Sequence, residues 1–260
     1  MSRSNFLLPM LAAVVFTFGT VASATAQVGV GAEAPEGADV LFDGTRASLD
    51  ENWEYWEGPC FASSMPIKWN VVPNHFDGGR GTAMSSKEPY SSTYGQADIV
   101  TKKKPRDFRL HVEFLIPRSR GNSGVYLDNR YEIQVVEGED GLHGMASVIN
   151  EKEAPYELFN GLQKWNAYDI QFRGARFDEN GDRSEKAMVT MYFNGEKVHE
   201  NVPINKVWGG PCSALDGGND GGNGITDGPG GVKLQAEGHD VRYRNIWMQG
   251  MSFDEPDTNF

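Results

Sequence analysis

The chain has 260 residues, 39% of them hydrophobic, with 31 glycines, 13 prolines and a formal charge of −12. That is enough apolar material for one large all-β domain or two small ones, with many turns. The strong acidity argues against nucleic acid or an anionic membrane as partner. In chain order, Met1 to Ala26 reads as a secretory leader. Arg3 supplies the charged start, Phe6 to Phe18 is largely apolar, and Ala24-Thr25-Ala26 is a small-residue cleavage site. Pro9, Thr17 and Gly19 interrupt the apolar run, which is short for a membrane span; an uncleaved N-terminal anchor is the alternative. Loss of Arg3 with the leader makes the charge −13. The expectation is an exported protein, periplasmic or secreted, with no membrane span after cleavage.

Gln27 to Ala38 is rich in Gly, Ala and Pro and reads as a linker (27–39), with order beginning at Val40-Leu41-Phe42-Asp43-Gly44. Strand signals then recur between turn residues: Lys68 to Val72, Ala97 to Thr101, Arg109 to Ile116, Gly124 to Leu127 and Tyr131 to Val136. Further on come Trp165 to Phe172, Met188 to Phe193 closed by the Asn194-Gly195 hairpin turn, Val232 to Ala236, and Val241 to Met248. Along Arg109 to Ile116, Leu110, Val112, Phe114 and Ile116 fall on one face, and Arg109, His111 and Glu113 on the other. Asn166, Tyr168, Ile170 and Phe172 share a side in the same way. Helical periodicity is almost absent. The pattern predicts an all-β chain: an antiparallel two-sheet β-sandwich of jelly-roll type over 40–252, each sheet with one packed and one solvated face.

Asp216 to Gly231 is low-complexity. It reads as a flexible linker, a mobile loop over a site, or a calcium loop using Asp216, Asp220 and Asp227. Residues 253–260 read as an acidic, solvated tail. Cys60 and Cys212 are either one long-range disulfide or two separate thiols.

The segment Arg120 to Gly144 carries the densest chemistry. A tight Asn-Ser-Gly turn leads into two short strands, and on the second, Glu132 and Gln134 share the face opposite Ile133 and Val135. A hydrophobic face packs, whereas a polar face can bind. The order of motifs in the mature chain resembles the 3-keto-disaccharide hydrolase domain family, once called domain of unknown function 1080. The matching pieces are Leu41-Phe42-Asp43-Gly44, Trp69-Asn70-Val71, Asp107-Phe108-Arg109-Leu110 with Glu113-Phe114, and Gly121-Asn122-Ser123-Gly124-Val125. They continue with Tyr131-Glu132-Ile133-Gln134, Trp165-Asn166, Asn194-Gly195, Leu234-Gln235 with Gly238-His239, and Arg244-Asn245-Ile246. Two departures are Lys164 in place of the usual Glu, and Gly238-His239 with the two residues exchanged.

The resemblance implies a concanavalin A-like sandwich and a sugar substrate whose C3 hydroxyl is already a ketone, made by a separate oxidoreductase. The ketone acidifies the C2 hydrogen, so a base can open the C1–O bond by elimination, and water then adds. Such a site needs a base near C2, donors or a metal at O3, and an acid or donor for the leaving oxygen. Glu132 is the candidate base, its alternative a structural ion pair. His143, in the loop that follows, is the candidate proton shuttle, or a surface residue. Asn122, Ser123, Arg130, Gln134, Gln235, His239 and Arg244 are candidate substrate contacts. For Asn122 and Ser123 the alternative is turn chemistry, and for Arg244 an ion pair. His111 and Glu113, joined by Glu132 or His143, could hold a divalent ion, but no HExxH or paired CxxC spacing supports a metal. No dinucleotide fingerprint, P-loop or Gly-x-Ser-x-Gly elbow is present, so no cofactor is expected. Tryptophans could stack on a sugar or fill the core. The readings that remain are the keto-glycoside enzyme, a non-catalytic carbohydrate-binding or adhesion module, and, ranked last, an ordinary two-carboxylate glycosidase.

Overall fold

A computed structural model describes residues 1, 27–55, 67–86, 98–205, 228, 230–236, 239–254 and 257–258. The leader reading, both cysteines, Trp56, Trp208 and most of the glycine-rich stretch 216–231 lie outside them. Two antiparallel sheets make a jelly-roll sandwich. The larger has eight strands. Its path runs β13 (Glu196–Ile204), β12 (Ala187–Phe193), β9 (Asn166–Arg173), β6 (Asp107–Leu115), β15 (Arg242–Gly250), β4 (Thr82–Ser85) and β3 (Asn70–Pro73), with β1 (Asp39–Phe42) also paired to β15. The smaller has five, in the order β2 (Trp53–Tyr55), β5 (Ile99–Thr101), β14 (Lys233–Leu234), β7 (Asn122–Leu127) and β8 (Tyr131–Val136).

The core lies between the sheets and follows the period of two. Leu110, Val112 and Phe114 of β6, Tyr168, Ile170 and Phe172 of β9, and Val189, Met191 and Phe193 of β12 meet Val125, Leu127, Ile133 and Val135 of the smaller sheet. Phe114, Tyr168 and Phe193 form an aromatic cluster with centroids 4.7 and 5.3 Å apart on either side of Tyr168. Such pairs contribute about 0.5–1.5 kcal/mol each beyond their burial. The Asn194-Gly195 turn joins β12 to β13 with φ of 52° and 90°, the doubly positive geometry that a two-residue hairpin turn demands.

Two elements escaped the sequence pattern. A seven-residue helix, α1 (Arg46–Asn52), follows Thr45, whose side chain accepts from the Ser48 N–H; it is too short to show a helical period. A two-stranded ribbon, β10 (Arg176–Phe177) and β11 (Arg183–Glu185), stands beside the main sheets. Among the described residues no helix is long and apolar enough to cross a membrane.

The expectation of one solvated face per sheet fails for both sheets: in the smaller, β8 is buried throughout and β7 at every residue but Asn122. In the larger, every residue of β6 and β9 is buried. On the outer face His111 Nδ1–H donates to Asp169 Oδ1 (2.7 Å), and its Nε2 lies 3.5 Å from Glu113 Oε1. Arg244 Nε donates to Glu113 Oε2 (2.7 Å), and Asn245 Nδ2 to Glu113 Oε1 (2.9 Å). The segment read as a linker lies across these groups. Gly29 N–H donates to Asp169 Oδ2 (2.6 Å) and Gly31 N–H to Glu113 Oε1 (2.7 Å), while the Ala32 carbonyl accepts from Asn245 and Trp247. Its backbone amides answer carboxylates that would otherwise be buried at high cost. At the other terminus Thr258 is buried, and its hydroxyl bonds with Thr190 (2.9 Å) and donates to Asn201 (2.9 Å).

This network fixes a pH window. Burial pushes the Glu113 carboxyl up, but hydrogen bonds from His111 and Asn245, the Arg244 charge and the Gly31 N–H outweigh it and hold it at about 2, below its ordinary 4.5. Burial opposes protonation of His111, yet its bonds to Asp169 and Glu113 win and raise it above 6.5. The Glu113 contribution is therefore complete above about pH 4.5 and lost as pH falls toward 2. The His111 contribution is complete below about pH 6.5 and lost as pH rises through its raised native value. Thermal melts across pH should show the Glu113→Gln variant losing the acid-side dependence that wild type keeps. Identical acid limbs in the two proteins would contradict the assignment.

Candidate active site

The outward face of the smaller sheet is where the sequence-predicted residues gather. On β7, Asn122, Gly124 and Tyr126 alternate outward, while Val125 and Leu127 enter the core. On β8, Glu132, Gln134 and Val136 do the same opposite Ile133 and Val135. The register pairs Tyr126 with Glu132 and, on its other side, with Lys233 of β14. Lys233, Tyr126 and Glu132 thus form one cross-strand row, its ends two strand spacings, about 9.6 Å, apart.

Tyr126 is the hub of that row. Its hydroxyl donates to Glu132 Oε2 (2.8 Å) and accepts from Gln235 Nε2 (3.3 Å). The Lys233 ammonium sits 3.8 Å from the centre of the Tyr126 ring and 3.1 Å from Asp98 Oδ2. Glu132 is 3% exposed and Lys233 0%. A carboxylate and an ammonium held at such depth interact far more strongly than at the surface. Gln134 lies one outward position along from Glu132, about 7 Å away by strand rise, and its Oε1 accepts the Val135 N–H.

Gly124 makes room for this carboxylate. A Cβ there would lie 2.2 Å from Glu132 Oε1 and 2.8 Å from the Tyr126 ring. The Asn-Ser-Gly motif therefore ends in glycine for reasons of packing across the sheet as well as of turn chemistry. Gly124→Ala is predicted to push Glu132 off Tyr126 and to cost about 1–3 kcal/mol of stability, together with most of the activity. Chemical denaturation and turnover of the same preparation check it, and near-wild-type values in both would contradict the packing.

The other candidates divide. Gln235 joins the face through Tyr126. Asn122 and His239 line a cleft at its end. Arg130 stays at the β7–β8 tip, paired with Asp128 (2.9 Å) and donating to the carbonyls of Asp128 and Gly228. That tip, Asp128-Asn129, has φ of 52° and 55°. Burial lifts Asp128 to about 6, against the Arg130 charge and the Gly230 N–H. His143 stands on an exposed 3-10 turn, Gly141–His143, with its ring bonded to Asn150 Oδ1 (2.9 Å).

Two expectations are corrected. Ser123 points into the sandwich, its hydroxyl bonded to Tyr243 (2.5 Å) and the Gln235 carbonyl (2.7 Å), because it alternates with Asn122 and Gly124. Arg244 lies on the outer face of the other sheet, bound to Glu113 and stacked 4.0 Å from the Trp165 ring. The set of His111 and Glu113 with Glu132 is split between the two sheets. Among the described residues no group of three His, Cys, Asp or Glu is placed to hold a metal. Trp53, Trp69, Trp165 and Trp247 are all buried, so none of them offers a stacking platform.

Sequence reasoning missed Tyr126 and Lys233. The period of two placed Tyr126 beside Gly124, and a lysine inside Val232-Lys233-Leu234 was a charge in an apolar run. Tyr126 meets Glu132 within the β7–β8 hairpin, whereas Lys233 joins them only because β14 inserts between β5 and β7, a pairing that no local signal encodes.

The family model described as a 3-keto-alpha-glucoside-1,2-lyase-like domain matches residues 37–249. No curated protein matches the chain. Among solved structures, a candidate glycosyl hydrolase from Parabacteroides distasonis ATCC 8503 is similar at 24% identity and TM-score 0.63, over 84% of this chain and 86% of that one. A second from the same organism is similar at 16% identity and TM-score 0.53, over 84% and 95%. Both likenesses are of fold.

Proposed function

Because the chain belongs to the 3-keto-alpha-glucoside-1,2-lyase-like domain family, a carbohydrate-active, hydrolase-like class, we propose that it cleaves 3-keto-glycosides on the Glu132 face. The observation that carries this reading is the Lys233–Tyr126–Glu132 row, which sets a buried base and a buried cation on either side of Tyr126. Glu132 takes the C2 proton of the keto sugar. The negative charge that develops at O3 is answered by the Lys233 ammonium, whose strength there comes from its burial.

The electron pair left at C2 forms the C1=C2 bond as the C1–O bond breaks, and the proton now on Glu132 can pass through the Tyr126 hydroxyl to the leaving oxygen. Addition of water, hydroxyl to C1 and hydrogen to C2, returns a 3-keto sugar and completes a net hydrolysis. Gln134 and Gln235 supply amide groups for the ring hydroxyls. His143 remains the alternative source of the leaving-group proton. A separate oxidoreductase must supply the ketone. The leader reading makes the site of action outside the cytoplasm, in the periplasm or the medium.

The test is turnover of a 3-keto-glucoside in D2O, read by NMR early in the reaction against the free keto sugar as exchange control. Elimination and hydration place solvent deuterium at C2 of the released sugar. Retention of the original C2 hydrogen would mean direct displacement at C1 and would remove Glu132 from the role of base.

A further inference from the structure

The row of Lys233, Tyr126 and Glu132 continues across the smaller sheet. Lys233 pairs with Val100 of β5, and Val100 with Glu54 of β2. Asp98 stands two residues before Val100, on the same outward side by the period of two. It lies diagonally beside Lys233, and its Oδ2 is 3.1 Å from the lysine Nζ. We propose that Asp98 is the positioning residue of this site, holding the Lys233 ammonium over the Tyr126 ring where the charge at O3 develops. The inference rests on the proposed keto-glycoside reading.

A lysine has four side-chain torsions and loses much rotamer freedom when it is fixed. A buried ammonium also needs an anionic partner in contact. Along the row Glu54 is exposed and faces Lys104 (3.5 Å), and Glu132 lies beyond the Tyr126 ring, bonded to its hydroxyl. Asp98 is in direct contact with the ammonium and only 18% exposed, whereas the lysine side chain is 1% exposed. At that depth the pair is little screened by solvent.

The carboxylate is itself fixed. Asp98 Oδ1 accepts the Ala236 N–H (2.9 Å), three residues beyond the lysine. On its other side the same segment is tied to β7, because the Gln235 N–H donates to the Gly124 carbonyl (3.0 Å). One carboxylate therefore grips both the backbone that carries Lys233 and the end of its side chain. The ammonium is left 3.8 Å from the centre of the Tyr126 ring. Both Asp98 oxygens are engaged, so its effect on the sugar runs through the lysine.

The choice of acid over amide follows. An asparagine has a single acceptor oxygen and cannot serve both the Ala236 N–H and the ammonium. A glutamate keeps the charge and both acceptors, displaced by one methylene.

The experiment measures kcat and KM on a 3-keto-glucoside for wild type, Asp98→Asn, Asp98→Glu, Lys233→Met and the Asp98→Asn/Lys233→Met double variant, with thermal melts to confirm folding. Asp98→Asn is expected to lower kcat at least about tenfold, as small displacements of a group at the reacting centre do. KM should stay within about threefold of wild type, since the interaction is made in the transition state. Asp98→Glu should lie between Asp98→Asn and wild type. Lys233→Met should lose about 10²- to 10³-fold. Adding Asp98→Asn to it should change kcat by less than about twofold, because a residue that acts through another has nothing left to position. An unchanged kcat in Asp98→Asn, or a loss that multiplies with that of Lys233→Met, would overturn the assignment. If Asp98→Asn does not fold, Asp98→Glu carries the test in the same terms: a fall in kcat that vanishes in the Lys233→Met background supports the role, and one that persists there overturns it. Failure of the wild type to turn over any 3-keto-glucoside would instead overturn the keto-glycoside reading, and the role of Asp98 with it.

Discussion

Glu132→Gln is expected to lower kcat on a 3-keto-glucoside by about 10²- to 10⁴-fold, the range for removing a positioned general base. The glutamine is nearly the same shape and its Oε1 can still accept from Tyr126, so the Tyr126–Gln235 arrangement survives. Thermal stability should change by less than about 1 kcal/mol, within the usual worth of one hydrogen bond. The informative result is this split between a large kinetic and a small thermal effect. A kcat within tenfold of wild type would exclude Glu132 as the base, and a large fall in melting temperature would assign it a structural role.

The largest stability effect is expected on the other sheet. Glu113→Ala removes the acceptor for Arg244, Asn245 and the Gly31 N–H, and takes away one of the two carboxylates beside His111. Breaking a buried charged network by deleting one partner costs about 3–5 kcal/mol. In a domain of this size that lowers the melting temperature by about 6–20 °C. The N-terminal strap loses one of its two carboxylate anchors, so protease sensitivity near Gln27 to Ala38 should rise with it. A loss under about 1 kcal/mol would mean that water replaces the carboxylate and that the strap is held elsewhere.

The contrast between these two faces shows what the sequence makes legible. Alternation placed Glu132 with Gln134, and His111 with Glu113, because the period of two is local to a strand. The same rule, applied to Asn122-Ser123-Gly124, assigns Ser123 to the core; the tight-turn reading of those residues hid it. The partners of each polar face were not legible. Lys233 reaches Tyr126 and Glu132 only because β14 enters the smaller sheet between β5 and β7, and Arg244 reaches Glu113 through pairing across 131 residues. The Gln27 to Ala38 segment looked like a linker because its contribution comes from backbone N–H and C=O groups, which composition does not reveal. The family motifs, and not local physics, are the source of the proposed ketone, on which the role of a single buried carboxylate as base depends.

The most direct measurement is sugar release by the wild-type protein from a 3-keto-glucoside and from its unoxidised parent, side by side, with and without a chelator. The keto sugar alone should be cleaved, because only its ketone makes the C2 hydrogen acidic enough for Glu132. Equal cleavage of both sugars, or of neither, would contradict elimination on the Glu132 face.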